Sequence, residues 1–414
     1  MGMRKLWCPV VILNACSSFA WEKVGGITLA ARMLYPLEDL GLKKVVMLTK
    51  GDKDVSGIRR WSSNIEIQCV QTKGEIPADM ASIATLSECF IYLDARHVID
   101  PRLLRALATA APPTLLAIDK SDQEKQVVRA ALLSREELML WIRQGSLALM
   151  RNARFLFPEE VDPSRPEIRG RLKPYFMEIA TGEDARKATR LLIRSQQKQV
   201  MDLPAQYLHP PLADALTAIL LRTPIAPNLV TIATASIAVL ISWLFWHGYF
   251  VQGALLTFLV DVLDGVDGKL ARTKLQYSRV GKYEHILDYL YENAYYVSLG
   301  VGLTRLSEGN LPLVLASLMV AADTVDKIFY TLSEVWYGKS IDLFSAFDGR
   351  FRRIAGRRNI YGSMFIIGFA MGFPLRTFAV TSFWAAITAT VHGFRLRRYG
   401  QAVKRLASNR SVGS

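Results

Sequence analysis

The sequence predicts two domains of different class: an α/β domain over residues 1–200 and, after a linker and interfacial helix over 201–227, an all-α domain of six transmembrane helices over 228–414. Three observations predict it. Up to about residue 200, short apolar runs alternate with charged stretches, as the strands and helices of a soluble α/β domain do. From Asn228 to about residue 395, long apolar runs recur at lengths near the roughly 20 residues a bilayer requires. The chain has 414 residues and a net charge of +14, and its basic residues fall in short loops between those runs. That pattern belongs to a membrane protein beside anionic lipid. It disfavours nucleic-acid binding, because no aromatics interleave with the charges as on a base-stacking platform.

In the first half, "MRKLWCPVVILNACSSFA" has the basic start and apolar centre of a secretion signal. Pro9 and the shortness of the centre favour a buried first strand, "VVILNA", followed by a loop with Gly25 and Gly26 and a helix, "ITLAARMLYPLEDLGL". Further strands are "KKVVMLTK", "NIEIQCV", "CFIYLDA" and "TLLAID", with the helix "DPRLLRALATAA" before the last. This alternation predicts a mostly parallel sheet with helices on both faces. Ligands of such sheets bind beyond the carboxyl ends of the strands. Asp94, at one strand end, and Lys23, in the loop after the first strand, are therefore candidate site residues. All four cysteines, Cys8, Cys16, Cys69 and Cys89, lie in the first 90 residues without a C-x2-C spacing, so reduced thiols are expected and a zinc site or disulfide framework is not.

A proline-rich link, "FPEEVDPSRPEIRGRLKPYF", and a helical stretch, "GEDARKATRLLIRSQQKQVMD", lead to an amphipathic helix near 211–222 that fits a membrane surface. Pro224 and Pro227 end it before the first span. The six spans run near 228–246, 249–268, 284–304, 311–332, 359–374 and 377–395. Loops 269–283 and 333–358 and the tail after 395 are basic, whereas the opposite loops carry only Arg305, Glu308 and Arg376. The expectation is a multi-pass protein of the cell membrane with both termini and the first domain in the cytoplasm. Trp246, Tyr249 and Tyr361 read as interface anchors, and His392 as a satisfied interior histidine. Asp323 and Asp326 either pair with Lys327 or line a polar cavity.

The second span ends in "DVLDGVDGKLAR", Asp261 to Arg272. A carboxylate in hydrocarbon is costly enough to mark a functional site. Asp264 and Asp267, at i and i+3, share one helix face, and Gly265 and Gly268 lower the wall beside them. His285, Asp288 and Glu292 fall on one face of the next span. Like charges gathered this way call for a cation, and all-oxygen donors suit Mg²⁺ or Mn²⁺. Arg272, one turn on, is the cluster's expected partner cation and a charge for phosphate; Asp261 is a supporting group or simply the helix end.

The run from Asp264 to Gly281 resembles the signature of the CDP-alcohol phosphotransferases, D-x2-D-G-x2-A-R-x8-G-x3-D-x3-D, with Asp264, Asp267, Gly268, Ala271, Arg272 and Gly281 in place. "TPIAPNLVT" and "GRRNIYG" also look like the family, and the resemblance covers about residues 195–400. It implies transfer of a substituted phosphate from a CDP-linked donor, such as CDP-diacylglycerol, to an alcohol acceptor, with release of CMP. It places Asp264, Gly268, Ala271 and Arg272 at the CDP moiety. The pattern departs at its last two acids, where the chain has His285 and Tyr289. A loop longer by three residues restores the register, with metal on Asp264, Asp267, Asp288 and Glu292 and with Glu292 and Asp288 as catalytic acids. A one-residue deletion would instead use His285 and Asp288. Membrane lipids are expected partners, nucleic acid is not, and the family is commonly dimeric.

The first half resembles the sugar-phosphate nucleotidyltransferases, its cytidylyltransferases above all, on "VVILNA…KVGGITLAARMLYPLEDLGLKKVVMLT" and "IYLDARHVIDPRLLRAL". In that family a glycine-rich loop with arginine and lysine cradles a triphosphate and a strand-end aspartate holds Mg²⁺; Lys23 and Asp94 match. The loop "NACSSFAWEKVGG" lacks the glycine-arginine run that lets backbone N–H groups approach phosphate, so the fold without its chemistry is expected. A bifunctional enzyme that also makes the CDP-alcohol, an inactive membrane scaffold and a transporter are the alternatives.

Overall fold

Val10–Leu13 is apolar at every position and buried throughout, the pattern of a strand covered on both faces. The computed structural model describes residues 10–51, 58, 64–72, 80–119, 127–165, 168, 170–276, 284–307 and 309–412. Of the residues named above, Cys8, Pro9, Gly281 and Glu308 lie outside the described residues. The chain forms two compact units, one built mainly from residues up to 166 and 171–195, the other from 196–272 and 276–414.

In the first unit, β1 (Val10–Asn14) is joined by β2 (Lys44–Thr49), β3 (Glu66–Gln71), β4 (Cys89–Asp94), β5 (Thr114–Leu116), β6 (Ala130–Ser134) and β7 (Arg154–Leu156) in the order β7-β5-β6-β4-β1-β2-β3. β1 runs parallel to β2 and β4, β2 to β3, and β5 to β7; β6 is antiparallel to β4 and β5. The register sets Asn14 opposite Asp94 at the carboxyl ends of β1 and β4. One face packs Val11, Leu13, Met47 and Leu93 with α1 (Leu29–Asp39) and α2 (Pro101–Ala108). The other packs Ile12, Val46 and Phe90 with Leu138 and Trp141 of α3 (Arg135–Gln144) and Leu149 of α4 (Ser146–Asn152). The helices start where capping dictates: Thr28 caps α1, Asp100 caps α2, and Ser134 with Glu137 forms a capping box on α3. α5 (Gly182–Arg194) has a similar box from Thr181 and Asp184. The sequence reading missed β6 and β7. The β6 run of alanines and leucines is helix-prone, and pairing on both sides overrides that preference.

The second unit is helical: α6 (His209–Leu220), α7 (Pro227–Trp246), α8 (Phe250–Lys274), α9 (Glu284–Thr304), α10 (Leu311–Tyr337), the short α11 (Ala346–Phe351), α12 (Arg358–Ala370) and α13 (Pro374–Val412). The six expected spans fall in order on α7, α8, α9, α10, α12 and α13. Among the described residues, only α7 is long and apolar enough to cross a membrane by composition alone. α8, α9 and α10 carry the acids at issue, and α12 has only 13 residues. α7 and α9 approach so closely that a Cβ on Gly302 would stand 1.9 Å from the Phe245 carbonyl oxygen, the small-residue contact that lets helix backbones touch. The 39-residue α13 runs well past the expected span and braces the segment that leads to α12. Tyr399 stacks on Phe344 at 3.9 Å, Arg395 Nε reaches Asp348 at 2.6 Å, and Trp384 Nε1 donates to the Ile354 carbonyl at 2.8 Å. The Gly356 N–H donates to Thr388 Oγ1 at 2.8 Å.

Candidate active site

Thr257, Asp261 and Asp264 stand at i, i+4 and i+7 on one face of α8. Arg358 and Gly362, at i and i+4, form the facing stripe of α12. A Cβ on Gly362 would lie 3.2 Å from Thr257 Oγ1 and 3.4 Å from Asp261 Oδ2, so glycine is what brings the two helices close. One turn earlier, Arg358 spreads its three nitrogens over three carboxylates: Nε to Asp261 Oδ1 at 2.7 Å, Nη2 to Asp264 Oδ2 at 2.7 Å and Nη1 to Glu292 Oε1 at 3.2 Å. It also donates to the Tyr291 hydroxyl, which donates in turn to Asp288 Oδ1 at 2.7 Å. On the far side, Lys327 Nζ reaches Glu292 Oε2 at 2.6 Å and Asp323 Oδ2 at 2.8 Å. Five carboxylates are thus knit together by two cations. Removing charges from water costs more than any one pair returns unless the geometry is good; of the three carboxylate contacts of Arg358, the one to Asp264 has hydrogen-bond geometry.

Of the sequence-predicted residues, Asp264, Asp288 and Glu292 come together in this network. Asp267 looks the other way along α8: Thr231 Oγ1 of α7 donates to its Oδ2 at 2.8 Å, and the Gly268 N–H lies 2.6 Å from its Oδ1. Arg272 lies over Gly268, where an added Cβ would meet Nη1 at 3.1 Å, with Ala271 beside it partly exposed. Lys269 ties α8 to α6 through Asp214 at 2.6 Å. Tyr289 faces α10, its hydroxyl 2.9 Å from Thr324 Oγ1. The backbone of His285 lies in the first turn of α9. Asp323 pairs with Lys327, and Asp326 pairs with His392. The sequence reading gave the cluster Arg272 as its one cation and missed Arg358 and the Tyr291 bridge. The available signal was a charge in "GRRNIYG" at the edge of an apolar run, with a glycine one turn on.

Residues 224–392 match the family model described as CDP-alcohol phosphatidyltransferase. The second unit carries a CDP-alcohol phosphatidyltransferase domain. That family is membrane-embedded, its members are transferases acting on CDP-alcohols, and they generally use divalent metal ions. Among the described residues, no three acids, histidines or cysteines are arranged around one metal position. The donor chemistry nevertheless fits: the CDP-alcohol phosphatidyltransferase domain presents hard carboxylate oxygens, and three of them already grip a cation of the protein's own at Arg358.

In the first unit, Asp94 ends β4 as expected, buried. Its carboxylate takes Arg96 in a two-pronged pair, Nε at 3.1 Å and Nη2 at 2.8 Å from Oδ2. Arg96 also faces Glu178 at 3.5 Å, and Glu178 pairs with Arg129. Burial pushes the His97 pKa below the ordinary 6.5, and its Nδ1 lies 3.1 Å from the Asp94 carbonyl. Tyr175 is pushed up to about 12, by burial and then by Asp100. In the loop after β1 four backbone donors bond within the protein: Cys16 N–H to Asn14 Oδ1, Phe19 to Ser17 Oγ, Ala20 to the Ser17 carbonyl, and Gly25 to Thr189 Oγ1. Lys23 is exposed on a two-residue strand. This domain is similar to solved nucleotidyltransferase-type structures: 4-diphosphocytidyl-2C-methyl-D-erythritol synthase from Anaerococcus prevotii (12% identity, TM-score 0.32, 44% of this chain and 97% of that one) and the inositol-1-phosphate CTP transferase from T. maritima (10%, 0.31, 43% and 91%). HddC from Yersinia pseudotuberculosis is also similar (11%, 0.32, 44% and 98%). No curated protein matches the sequence.

Proposed function

We propose that the second domain transfers a substituted phosphate from a CDP-linked donor to an alcohol acceptor and releases CMP, in phospholipid or polyol-phosphodiester synthesis. The observation that carries this reading is the unbroken D-x2-D-G-x2-A-R run from Asp264 to Arg272 on α8, within the family-matched segment and linked to Asp288 and Glu292 of α9. The acceptor oxygen bonds to the donor phosphorus that bears the transferred group. The bond from that phosphorus to the oxygen bridging it to CMP breaks, and its electron pair leaves with CMP. Glu292 takes the hydroxyl proton. Gly268 and Ala271 let the nucleotide lie against α8, and Arg272 holds phosphate. Asp264, Asp267, Asp288 and Glu292 would hold the divalent cation, Mg²⁺ or Mn²⁺, with His285 as the alternative ligand. When bound, that cation neutralises the pyrophosphate and the departing CMP. The reading includes a six-span, lipid-embedded protein with both termini in the cytoplasm.

For the first domain we propose the nucleotidyltransferase-like fold without the chemistry. Two observations support it: the Asp94 carboxylate pairs with Arg96, and the Cys16, Phe19 and Gly25 N–H groups of the loop bond within the protein. The test of transfer uses the purified chain in detergent with Mg²⁺, CDP-diacylglycerol and other CDP-linked donors, and a panel of polyols and polyol phosphates. CMP release that needs both substrates is expected. No release with any pair overturns the proposal and leaves the inactive scaffold.

A further inference from the structure

We propose that Arg358 is the resident counter-ion of the carboxylate site and exchanges with the divalent cation. Its guanidinium holds Asp264 and Glu292 in the unliganded protein and withdraws from both as the cation binds. This rests on the reading that these acids take such a cation. The geometry separates the guanidinium into an anchored end and a releasable end. Nε pairs with Asp261, which lies outside the signature, one turn before Asp264, where Gly362 holds α12 against α8. Nη1 and Nη2, at the tip, grip Glu292 and Asp264, the two acids the reaction needs. Through the Tyr291 hydroxyl the same guanidinium also reaches Asp288. Asp264, Asp288 and Glu292, three of the four carboxylates proposed to hold the cation, are therefore tied to this one side chain.

Two cations cannot share these oxygens, because their mutual repulsion rises steeply at contact distance in a buried site. Arg358 thus stabilises the acids while no metal is present and competes with the metal when it arrives. Withdrawal also frees Glu292 Oε1, which a proton acceptor requires. The released tip is a forked cation without an anion, and a donor pyrophosphate offers one. Cation and nucleotide should therefore bind with positive coupling, and Arg358 should carry part of that coupling.

The test measures Mn²⁺ binding to the full chain in detergent by the paramagnetic resonance of free Mn²⁺, with and without CDP. Without nucleotide, Arg358→Gln is expected to bind Mn²⁺ about tenfold more tightly than the native chain, within the usual range of coupling effects. Arg358→Lys, whose point charge cannot fork, should fall between them. CDP should tighten Mn²⁺ more in the native chain than in Arg358→Gln. Equal or weaker affinity in both arginine variants, with Asp264→Asn still losing Mn²⁺, overturns the exchange and leaves the metal site standing. The same CDP effect in native chain and variant also overturns it. If the native chain binds no Mn²⁺ under either condition, the metal reading and the exchange fall together.

Discussion

Both units bury an aspartate beside an arginine, and the two pairs behave differently. In the first, Asp94 and Glu178 meet Arg96 and Arg129: two acids, two cations, with partners from one turn and two neighbouring strands. In the second, Asp261, Asp264, Asp288, Glu292 and Asp323 meet Arg358 and Lys327, drawn from four helices. In the first cluster acids and cations are equal in number; in the second the acids outnumber the cations, an excess that a further cation or a proton would offset. On the proposed reading, charge balance, more than the presence of an acid at the end of an element, separates a reactive site from a structural one.

That contrast can be broken most directly by neutralising one acid in each unit. Asp264→Asn and Asp267→Asn should each lower CMP release by roughly a thousandfold or more, since a bound metal contributes several kcal/mol to such a step. Thermal stability of Asp264→Asn should hold or rise, because the cluster loses an excess charge. Unchanged turnover in excess chelator would remove the basis for this. Next in size, Glu292→Gln should cost about 10²–10⁴-fold in turnover, the usual range for a general base, while Tyr289→Phe loses only a hydroxyl contact with Thr324. A larger effect at Tyr289 would mean the loop insertion has been aligned wrongly. His285→Ala should weaken metal binding less than Asp288→Asn.

Asp94→Asn should show the reverse pattern. Breaking the fork to Arg96 is expected to cost about 1–3 kcal/mol of local stability, read as lost hydrogen-exchange protection over 89–99 in the full chain. CMP release should not change. With CTP, Mg²⁺ and polyol phosphates, neither native chain nor variant should release pyrophosphate. Release that vanishes in Asp94→Asn would make the protein bifunctional. The smallest effect is with pH. His97 resists protonation in the folded domain, whereas the unfolded chain takes a proton near the ordinary 6.5. Protection of the 89–99 segment should therefore be full above about 6.5 and decline as pH falls below it, and His97→Gln should flatten that decline.

Much of this was legible in the sequence, for physical reasons that differ by element. β1, β2 and β4 announce themselves because strands covered on both faces are apolar almost throughout. The acids of α8 are legible because carboxylates at the end of an apolar run have no cheap alternative. Arg358 was not. Its link to Asp264 spans 94 positions, and its neighbour Arg357 looks equivalent in the sequence yet stacks on Tyr330 at 4.2 Å. Which of two adjacent arginines reaches the carboxylates depends on helix packing, which Gly362 sets from one turn away. β6 was missed for a related reason: pairing partners, not its own residues, make it a strand.

The brace along α13 bears on how fast the site can change. The segment ahead of Arg358 is pinned at Phe344, Asp348, Ile354 and Gly356 before α12 begins. Its backbone offers no hinge there. On the proposed exchange the guanidinium leaves its acids by turning about its own side-chain bonds. The waiting time is then governed by how firmly the buried ion pairs hold it, not by a hinge in the segment before α12.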